Sequence, residues 1–369
     1  MAGESDHLRY EQQNSFGPVV AFNCTSRCNL NCLHCYSNST SSLSRDELTT
    51  TEAKRLLHQL AEANCPVVLF TGGEPLLRDD LFDLLAEAKQ LPLRTVISSN
   101  GTLIDSAAAK KLAGRSVSYV GISIDGDKSL HDKFRQSPGC FKAALAGVEN
   151  CQKAGLKTGL RFTITKQNAD KIPAVFDIAA EAGIRRICFY HLVKAGRAKN
   201  LNTYILTPQQ TRNAVDTIIE KTKEFVQKKL VDEVLTVGNH ADGPYLLIRV
   251  TSDEQRATAK QLLLANGGNK TGEKIASVGW DGSVHPDQFW RNYSLGNVKN
   301  KTFKEIWDNP DEPVLNKLRN KSTFADKRCL RCKWFNLCKG NFRFLGSDPS
   351  EKNWLLEPPC YLTDAEIGL

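Results

Sequence analysis

Six short apolar runs alternate with amphipathic segments through the first half of the chain, and this alternation limits the possible folds more than any other feature. The runs predict strands at residues 19–23, 66–70, 94–98, 117–124, 158–165 and 186–193. The segments between them carry apolar residues at helical spacing and predict helices, the first at 49–63. Such alternation is typical of a parallel sheet with helices outside. Six units are too few for a closed eight-stranded barrel, so we expect an α/β fold, a partial (β/α)6 barrel.

Three cysteines follow the first predicted strand. Cys28, Cys32 and Cys35 have the spacing C-x3-C-x2-C. Thiolates are the usual ligands of iron–sulfur clusters, and three of them leave one iron of a four-iron cluster without a protein ligand. An open metal position indicates chemistry rather than a purely structural role. A zinc site, or three buried thiols, is the alternative.

A second cysteine group lies near the end of the chain. Cys329, Cys332, Cys338 and Cys360 have the spacing C-x2-C-x5-C-x21-C and could ligate a second cluster completely. Zinc is the rival, since paired C-x2-C groups also suit it. The other five cysteines are scattered along the chain: Cys24, Cys65, Cys140, Cys151 and Cys188. We expect four of them to be small core residues, whereas Cys24 lies near enough to the first group to have a role there.

Composition and charge narrow the class of protein. The 369-residue chain carries a net charge of +8, which is dispersed and gives no reason to expect a nucleic acid partner. The sequence contains no run of 18 apolar residues, so we expect no membrane span. The polar start, residues 1–16, lacks the apolar core of a signal peptide. We therefore expect a cytoplasmic protein, in a compartment where disulfides are rare.

Small and polar residues stand where the predicted strands end. Active-site residues of such folds lie at the carboxyl ends of strands, and glycine lets the backbone approach a ligand closely. The candidates are Gly72, Gly73, Glu74, Ser98, Asn100, Ser123, Asp125 and Arg135. A helix cap or a turn is the alternative for the serines, Asn100 and Asp125. An exposed loop position is the alternative for Arg135.

The stretch Cys28-Asn29-Leu30-Asn31-Cys32-Leu33-His34-Cys35-Tyr36, with Gly72-Gly73-Glu74-Pro75 on the second strand, resembles the radical S-adenosylmethionine (SAM) superfamily. The resemblance implies a [4Fe-4S] cluster on the three cysteines, with SAM on its open iron. It also implies that the candidates at the strand ends, Arg135 included, bind SAM. The implied chemistry is cleavage of SAM to a 5′-deoxyadenosyl radical, which abstracts hydrogen from a substrate.

The C-terminal region resembles the SPASM/Twitch modules that are appended to radical SAM enzymes. The resemblance lies in Leu295-Gly296-Asn297-Val298 and Phe303-Lys304-Glu305-Ile306-Trp307. It implies a second [4Fe-4S] cluster on Cys329, Cys332, Cys338 and Cys360, in a shortened module. We expect an N-terminal extension at 1–16, the partial barrel at 17–200, a helical connection at 201–273 and a cluster module at 274–369. The connection includes a long predicted helix at 208–229, and the module begins with a predicted hairpin around Asp281-Gly282.

Further stretches resemble the branch of the superfamily that makes haem by the siroheme-dependent route or makes haem d1. They are Cys338-Lys339-Gly340-Asn341-Phe342-Arg343, Pro359-Cys360-Tyr361-Leu362, Phe189-Tyr190-His191-Leu192-Val193 and His285-Pro286-Asp287-Gln288-Phe289-Trp290-Arg291. The resemblance implies an iron tetrapyrrole substrate, 12,18-didecarboxysiroheme, which loses two acetate side chains to give Fe-coproporphyrin III. It further implies a low-potential electron donor of the flavodoxin or ferredoxin type.

Two histidines and three arginines are candidates for contact with that substrate. His191 and His285 could ligate its iron or donate a proton, although a lone histidine is more often structural. Arg161, Arg197 and Arg291 could pair with its carboxylates. The alternatives are a haem d1 enzyme that replaces propionates by oxo groups, a SPASM-type peptide or protein maturase, and a scaffold or sensor that holds a metal without catalysis.

Overall fold

A computed structural model describes residues 16–344 and 354–369, so nearly all of the predicted extension at 1–16 lies outside the described residues. Within them, ten strands form one sheet in the order β10-β9-β8-β1-β2-β3-β4-β5-β6-β7. Its strands are β1 Val19–Thr25, β2 Val67–Gly72, β3 Arg94–Ser99, β4 Tyr119–Ser123, β5 Thr158–Ile164, β6 Arg186–His191, β7 Glu233–Val237, β8 Ile275–Val278, β9 Ser283–His285 and β10 Gly296–Asn297. A separate hairpin joins β11 Phe342–Phe344 to β12 Trp354–Leu356.

The helices fill the connections between these strands. Those of the first half are α1 Thr50–Glu62, α2 Leu81–Ala88, α3 Ser106–Gly114, α4 Lys128–Arg135, α5 Cys140–Lys153, α6 Ile172–Glu181 and α7 Pro208–Gln227. Those of the second half are α8 Asp242–Arg249, α9 Asp253–Asn266, α10 Phe303–Trp307, α11 Pro313–Arg319, α12 Lys327–Arg331, α13 Phe335–Cys338 and α14 Asp364–Ile367. None of the helices in the described part of the chain is long and apolar enough to cross a membrane.

Strands β1 to β6 are parallel neighbours, and each of the six predicted strands is present. The helices pack their apolar faces on this sheet; α1, for example, buries Leu56, Leu57 and Leu60. A capping box between Thr49 and Glu52 fixes where α1 begins. The expected α/β partial (β/α)6 arrangement is therefore confirmed, and the carboxyl ends of its six strands meet at one edge.

Three further parts of the sheet differ from or extend the expectation. The region expected as a helical connection, 201–273, also contains β7, which pairs in parallel with β6. The hairpin around Asp281-Gly282 is present as β8 and β9, and Gly282 takes a φ of +87° at its turn. Strand β8 pairs in parallel with β1, so the C-terminal region continues the sheet of the barrel. Helix α4 was not predicted.

Candidate active site

One cavity opens at the carboxyl ends of β1 to β6, and most of the predicted site residues line it. The residues brought together there are Cys28, Cys32, Cys35, Gly72, Gly73, Ser98, Asn100, Ser123, Arg135 and His191. Glu74, Asp125 and His285 are not among the lining residues. The cavity wall also includes His34, Tyr36, Arg161, Thr163, Tyr190, Gln288 and Phe289.

Hydrogen-bond donors lie beside two of the three sulfurs of the first cysteine group, and a hydroxyl lies beside the third. The backbone N–H of Leu30 lies 3.4 Å from Cys28 Sγ, and Arg135 Nη1 lies 3.5 Å from Cys32 Sγ. Cys35 Sγ lies 3.2 Å from the Ser37 hydroxyl. Donors around cysteine sulfurs stabilise an anionic iron–sulfur cluster. Three thiols on one cavity wall, with these donors behind them, fit a cluster that has three protein ligands.

The segment after β6 clamps this loop. The Arg197 guanidinium donates to the carbonyl oxygens of Cys32 at 2.8 Å and Ser39 at 2.7 Å. Gly196 takes a φ of +55°, and a Cβ there would lie 2.4 Å from the carbonyl oxygens of Cys35 and Tyr36. Arg197 is not among the cavity-lining residues, and its Nε and Nη1 fix the backbone of the cysteine loop. Its Nη2 is buried without a partner among the described residues, and a contact of Arg197 with substrate stays a prediction.

The two glycines after β2 are required by the neighbouring chain. A Cβ at Gly73 would lie 2.0 Å from the carbonyl oxygen of Arg27. At Gly72, which takes a φ of +125°, a Cβ would lie 2.6 Å from the carbonyl oxygen of Thr25. The absence of a Cβ therefore lets the ends of β1 and β2 approach each other closely. Both glycines also line the cavity, where we expected the backbone to approach a ligand.

The Glu74 side chain lies away from the cavity. Its two carboxylate oxygens accept from the Ser99 hydroxyl and from the backbone N–H of Asn100, each at 2.8 Å. It is fully buried, and burial raises its pKa to about 7 despite these hydrogen bonds. The prediction that Glu74 binds SAM conflicts with this geometry as far as its carboxylate is concerned, because the carboxylate joins the ends of β2 and β3.

Asp125 and Arg135 form a buried ion pair, of which Arg135 lines the cavity. Arg135 Nη2 lies 2.6 Å from Asp125 Oδ2, and the other carboxylate oxygen accepts from the backbone N–H of Thr163 at 3.1 Å. Burial alone would raise the pKa of Asp125, but Arg135 and then His34 hold it below its ordinary value. Asp125 therefore positions Arg135, and the alternative of an exposed loop arginine is excluded.

His34 is a cavity residue that the sequence argument did not single out. Its Nε2 lies 3.5 Å from Asp125 Oδ2, and its ring packs against Phe134. Burial lowers its pKa to about 4, so the ring is neutral at neutral pH. Its Nδ1 is buried and has no partner among the described residues. A buried polar atom without a partner in a cavity wall fits a site that receives a polar ligand.

The two candidate histidines differ in position. His191, at the end of β6, lines the cavity, and its Nε2 lies 2.8 Å from Asp242 Oδ2. His285 is buried on β9 and donates from Nδ1 to the carbonyl oxygen of Tyr293 at 2.6 Å. Burial lowers the pKa of His285. The geometry supports a role at the cavity for His191 and a structural role for His285.

Among the three arginines expected to pair with substrate carboxylates, only Arg161 lines the cavity. Its guanidinium lies over the ring of Tyr190, with 4.5 Å to the ring centroid. No carboxylate pairs with it within the described ranges of the chain. Arg291 instead lies over the ring of Trp280, outside the cavity lining. A partly buried cation in a ligand cavity without a carboxylate partner is suited to an anionic ligand.

The second cysteine group gathers at the C-terminal end of the fold. Cys329 and Cys332 lie at α12, Cys338 ends α13, and Cys360 follows β12. Burial, together with smaller contributions from neighbours that include Cys360 and Cys332, raises the pKa of Cys329 to about 11. Asn269 in the preceding loop donates its backbone N–H to the Cys338 carbonyl oxygen at 3.0 Å. Four thiols brought together in this way fit a cluster whose irons are all held by protein.

The fold, the three-cysteine cavity and the second cysteine group define a radical SAM enzyme with an appended iron–sulfur module. A family model described as the radical SAM superfamily matches residues 22–193, and the SPASM model, described as an iron-sulfur cluster-binding domain, matches residues 270–333. The chain belongs to the radical SAM superfamily. Its cofactors are SAM and iron–sulfur clusters.

The chain is also similar to individual members of that superfamily. It is 48% identical over 357 residues to Fe-coproporphyrin III synthase of Methanosarcina barkeri, which covers 95% of this chain and 89% of that protein. It is 38% identical over 355 residues to pre-heme d1 synthase of Dinoroseobacter shibae, with coverage of 95% and 88%. The crystal structure of Streptococcus suis SuiB bound to precursor peptide SuiA has the same fold, with a TM-score of 0.70 at 19% identity and coverage of 88% and 72%.

Proposed function

We propose that this enzyme acts in siroheme-dependent haem biosynthesis and removes two acetate side chains from 12,18-didecarboxysiroheme to give Fe-coproporphyrin III. The observation that carries the proposal is the 48% identity to Fe-coproporphyrin III synthase over 95% of the chain, against 38% to pre-heme d1 synthase. The cavity supports it, because Arg161 and His191 offer polar contacts to a substrate with several carboxylates.

Each part of the cavity wall would have its own task. Cys28, Cys32 and Cys35 would hold the first cluster, and together with SAM that cluster supplies radical hydrogen abstraction when bound. Ser98, Asn100 and Ser123 lie at the strand ends with hydrogen-bonding groups for SAM. Gln288 and Phe289 come from the C-terminal module and form part of the cavity wall. Side chains that cover the cavity would help to keep water from the reacting centre.

The remaining partners follow from the same proposal. A low-potential donor of the flavodoxin or ferredoxin type would reduce the first cluster, in the cytoplasm. Cys329, Cys332, Cys338 and Cys360 would saturate the second cluster, which favours electron transfer over substrate binding at that cluster. No nucleic acid partner is proposed, since the basic excess is small and dispersed.

The test is an anaerobic incubation of the reconstituted enzyme with SAM, a reductant and 12,18-didecarboxysiroheme, followed by mass analysis of the pigment. Loss of two acetate groups is expected, with 5′-deoxyadenosine as co-product. Conversion of propionates to oxo groups would assign the chain to haem d1 synthesis instead. An unchanged pigment in a sample that cleaves SAM would contradict a tetrapyrrole substrate of this type. The Cys32→Ala variant is the control for reactions that the first cluster does not drive.

A further inference from the structure

A buried chain of hydrogen bonds connects the cavity to the loop that carries Cys360. His191 Nε2 lies 2.8 Å from one carboxylate oxygen of Asp242, and the Tyr361 hydroxyl donates to the other oxygen at 2.7 Å. All three side chains are buried. Asp242 therefore joins a residue of the cavity wall to the residue that directly follows Cys360.

The contact with Asp242 determines which ring nitrogen of His191 carries the proton. Burial alone would raise the pKa of Asp242, but His191 and hydrogen bonds from Thr236 and Tyr361 hold it below its ordinary value. Asp242 is therefore a carboxylate and accepts from His191 Nε2–H. The remaining nitrogen, Nδ1, has no hydrogen-bond partner among the described residues.

This geometry bears on the two roles predicted for His191, ligation of the substrate iron and proton exchange with the substrate. Nδ1 is adjacent to the ring carbon that carries Cβ, so a flat tetrapyrrole coordinated through Nδ1 would meet the side chain's own backbone attachment. Nε2 is the less hindered nitrogen, and Asp242 occupies it. Axial ligation of the substrate iron is thus disfavoured, whereas Nδ1, which carries no proton in this tautomer, is sterically open to accept a hydrogen bond from a group at the edge of the macrocycle.

We propose that Asp242 and Tyr361 are positioning residues that hold His191 with Nδ1 available to accept a hydrogen bond from a protonated peripheral carboxyl group of the iron tetrapyrrole. This inference depends on the proposed function for the identity of its ligand. The carboxyl group brings the proton of this hydrogen bond, Nδ1 accepts it, and no covalent bond is broken in this contact. The C-terminal module thereby completes the substrate wall of the barrel.

Two more contacts fix the same loop beside the ends of β6 and β7. Lys194 Nζ lies 2.9 Å from Glu357 Oε1, and Asn239 Nδ2 donates to the carbonyl oxygen of Pro359 at 3.3 Å. A substitution of Cys360 that releases this loop therefore also disturbs His191. Loss of turnover in such a variant does not by itself report electron transfer through the second cluster.

The test compares full-length, reconstituted Tyr361→Phe, Asp242→Asn and His191→Gln with the wild type. Tyr245→Phe is the matched control: Tyr245 packs against Tyr361 with 5.3 Å between ring centroids, and its hydroxyl donates at 3.0 Å to Asp216, away from His191. The readouts are iron per chain, the dissociation constant of 12,18-didecarboxysiroheme from its difference absorption, and 5′-deoxyadenosine formed per product.

The expected result is full iron content in all four variants. Tyr361→Phe, Asp242→Asn and His191→Gln should weaken pigment binding about five- to tenfold, as the loss of one hydrogen bond predicts. They should also form more 5′-deoxyadenosine per product. Tyr245→Phe should show neither change. Wild-type behaviour in Asp242→Asn and Tyr361→Phe, or weakening that appears only with iron loss, would overturn the positioning role. A wild type that binds the pigment without converting it contradicts the proposed function alone, because the binding comparison still decides the positioning role. A wild type that binds no iron tetrapyrrole overturns both.

Discussion

Arg135 bridges a carboxylate and a candidate cluster sulfur: its guanidinium lies 2.6 Å from Asp125 Oδ2 and 3.5 Å from Cys32 Sγ. Both charged side chains are buried. The pair is placed by α4, whose left-handed C-cap residue, Gln136, accepts a hydrogen bond from Asn31 of the cysteine loop at 3.1 Å. A cation fixed beside a thiolate offsets part of the negative charge that an iron–sulfur cluster brings.

Replacement of Arg135 by glutamine should destabilise the protein by about 3–5 kcal/mol, because Asp125 is left buried without its partner. Arg135→Lys should recover part of this loss, since it keeps the charge but not the two-pronged contact. The free energy of unfolding in denaturant, measured without oxygen, provides the check. Arg185→Gln is the control, since Arg185 pairs with Asp232 at the surface and should change little. Equal effects at the two sites would contradict a special role for the buried pair.

Loss of the Arg212–Glu366 contact should loosen the C-terminal helix. Arg212 reaches the two carboxylate oxygens of Glu366 at 2.8 and 2.6 Å, which lowers the pKa of Glu366 to about 2. Glu366→Gln should cost about 1–2 kcal/mol of unfolding free energy. The contribution is complete above the ordinary pKa of 4.5 and is lost only as the pH falls toward 2. The difference between the two proteins should therefore be constant from pH 5.5 to pH 8, and a slope in that window would argue against the assignment.

Two glycines that face each other on β4 and β5 make room inside the barrel. Gly121 and Gly159 are paired in register. A Cβ at Gly159 would lie 2.1 Å from the Tyr119 hydroxyl, and one at Gly121 would lie 2.7 Å from Arg161 Cδ. Gly159→Ala should destabilise the fold by about 1–3 kcal/mol through overpacking, measured by denaturant unfolding.

Gly121→Ala should move Arg161 and weaken ligand binding in the cavity. The control for both substitutions is Gly114→Ala at the end of α3, where nothing lies within 4 Å of the added Cβ. That change should stabilise the protein by about 0.4–1 kcal/mol. If Gly159→Ala, Gly121→Ala and Gly114→Ala changed the free energy of unfolding by similar amounts, the barrel interior would accommodate an added methyl group, contrary to the packing described.

The clamp on the cysteine loop should be needed to retain the first cluster. Gly196→Ala introduces a Cβ against two loop carbonyls, and Arg197→Gln removes two donors to the loop. Both should lower the iron content by up to four per chain and lower SAM cleavage in proportion, as iron analysis and 5′-deoxyadenosine assays would show. Lys199→Gln changes an exposed neighbour and should keep all of its iron. Full iron content in the clamp variants would contradict this role.

The sequence predicts the strands of the barrel well because each is a short apolar run that ends in polar or glycine residues. It does not reveal β7, Glu233–Val237, whose side chains are all only partly buried at the edge of the sheet. It also misses α4, where charged residues outnumber apolar ones and where the buried positions include His131 and Arg135. Their burial serves the site rather than the core, so no apolar period marks the helix.

Site residues could be nominated from position, whereas their orientation could not be predicted. Glu74 and Asp125 stand at strand ends as expected, yet their carboxylates contact Ser99 and Arg135 instead of the cavity. Asp242 holds His191 from 51 residues away in the chain. Such long-range partners depend on how the elements pack, and spacing along the chain carries no record of them.

The most direct test of this account is whether the loop at residues 28–35 supports reductive cleavage of SAM. Anaerobically reconstituted wild type should contain two [4Fe-4S] clusters by iron analysis and electron paramagnetic resonance, and should form 5′-deoxyadenosine when reduced. Cys32→Ala should lose that activity while it keeps the second cluster. Zinc in place of iron at the first site, or undiminished SAM cleavage by Cys32→Ala, would contradict it.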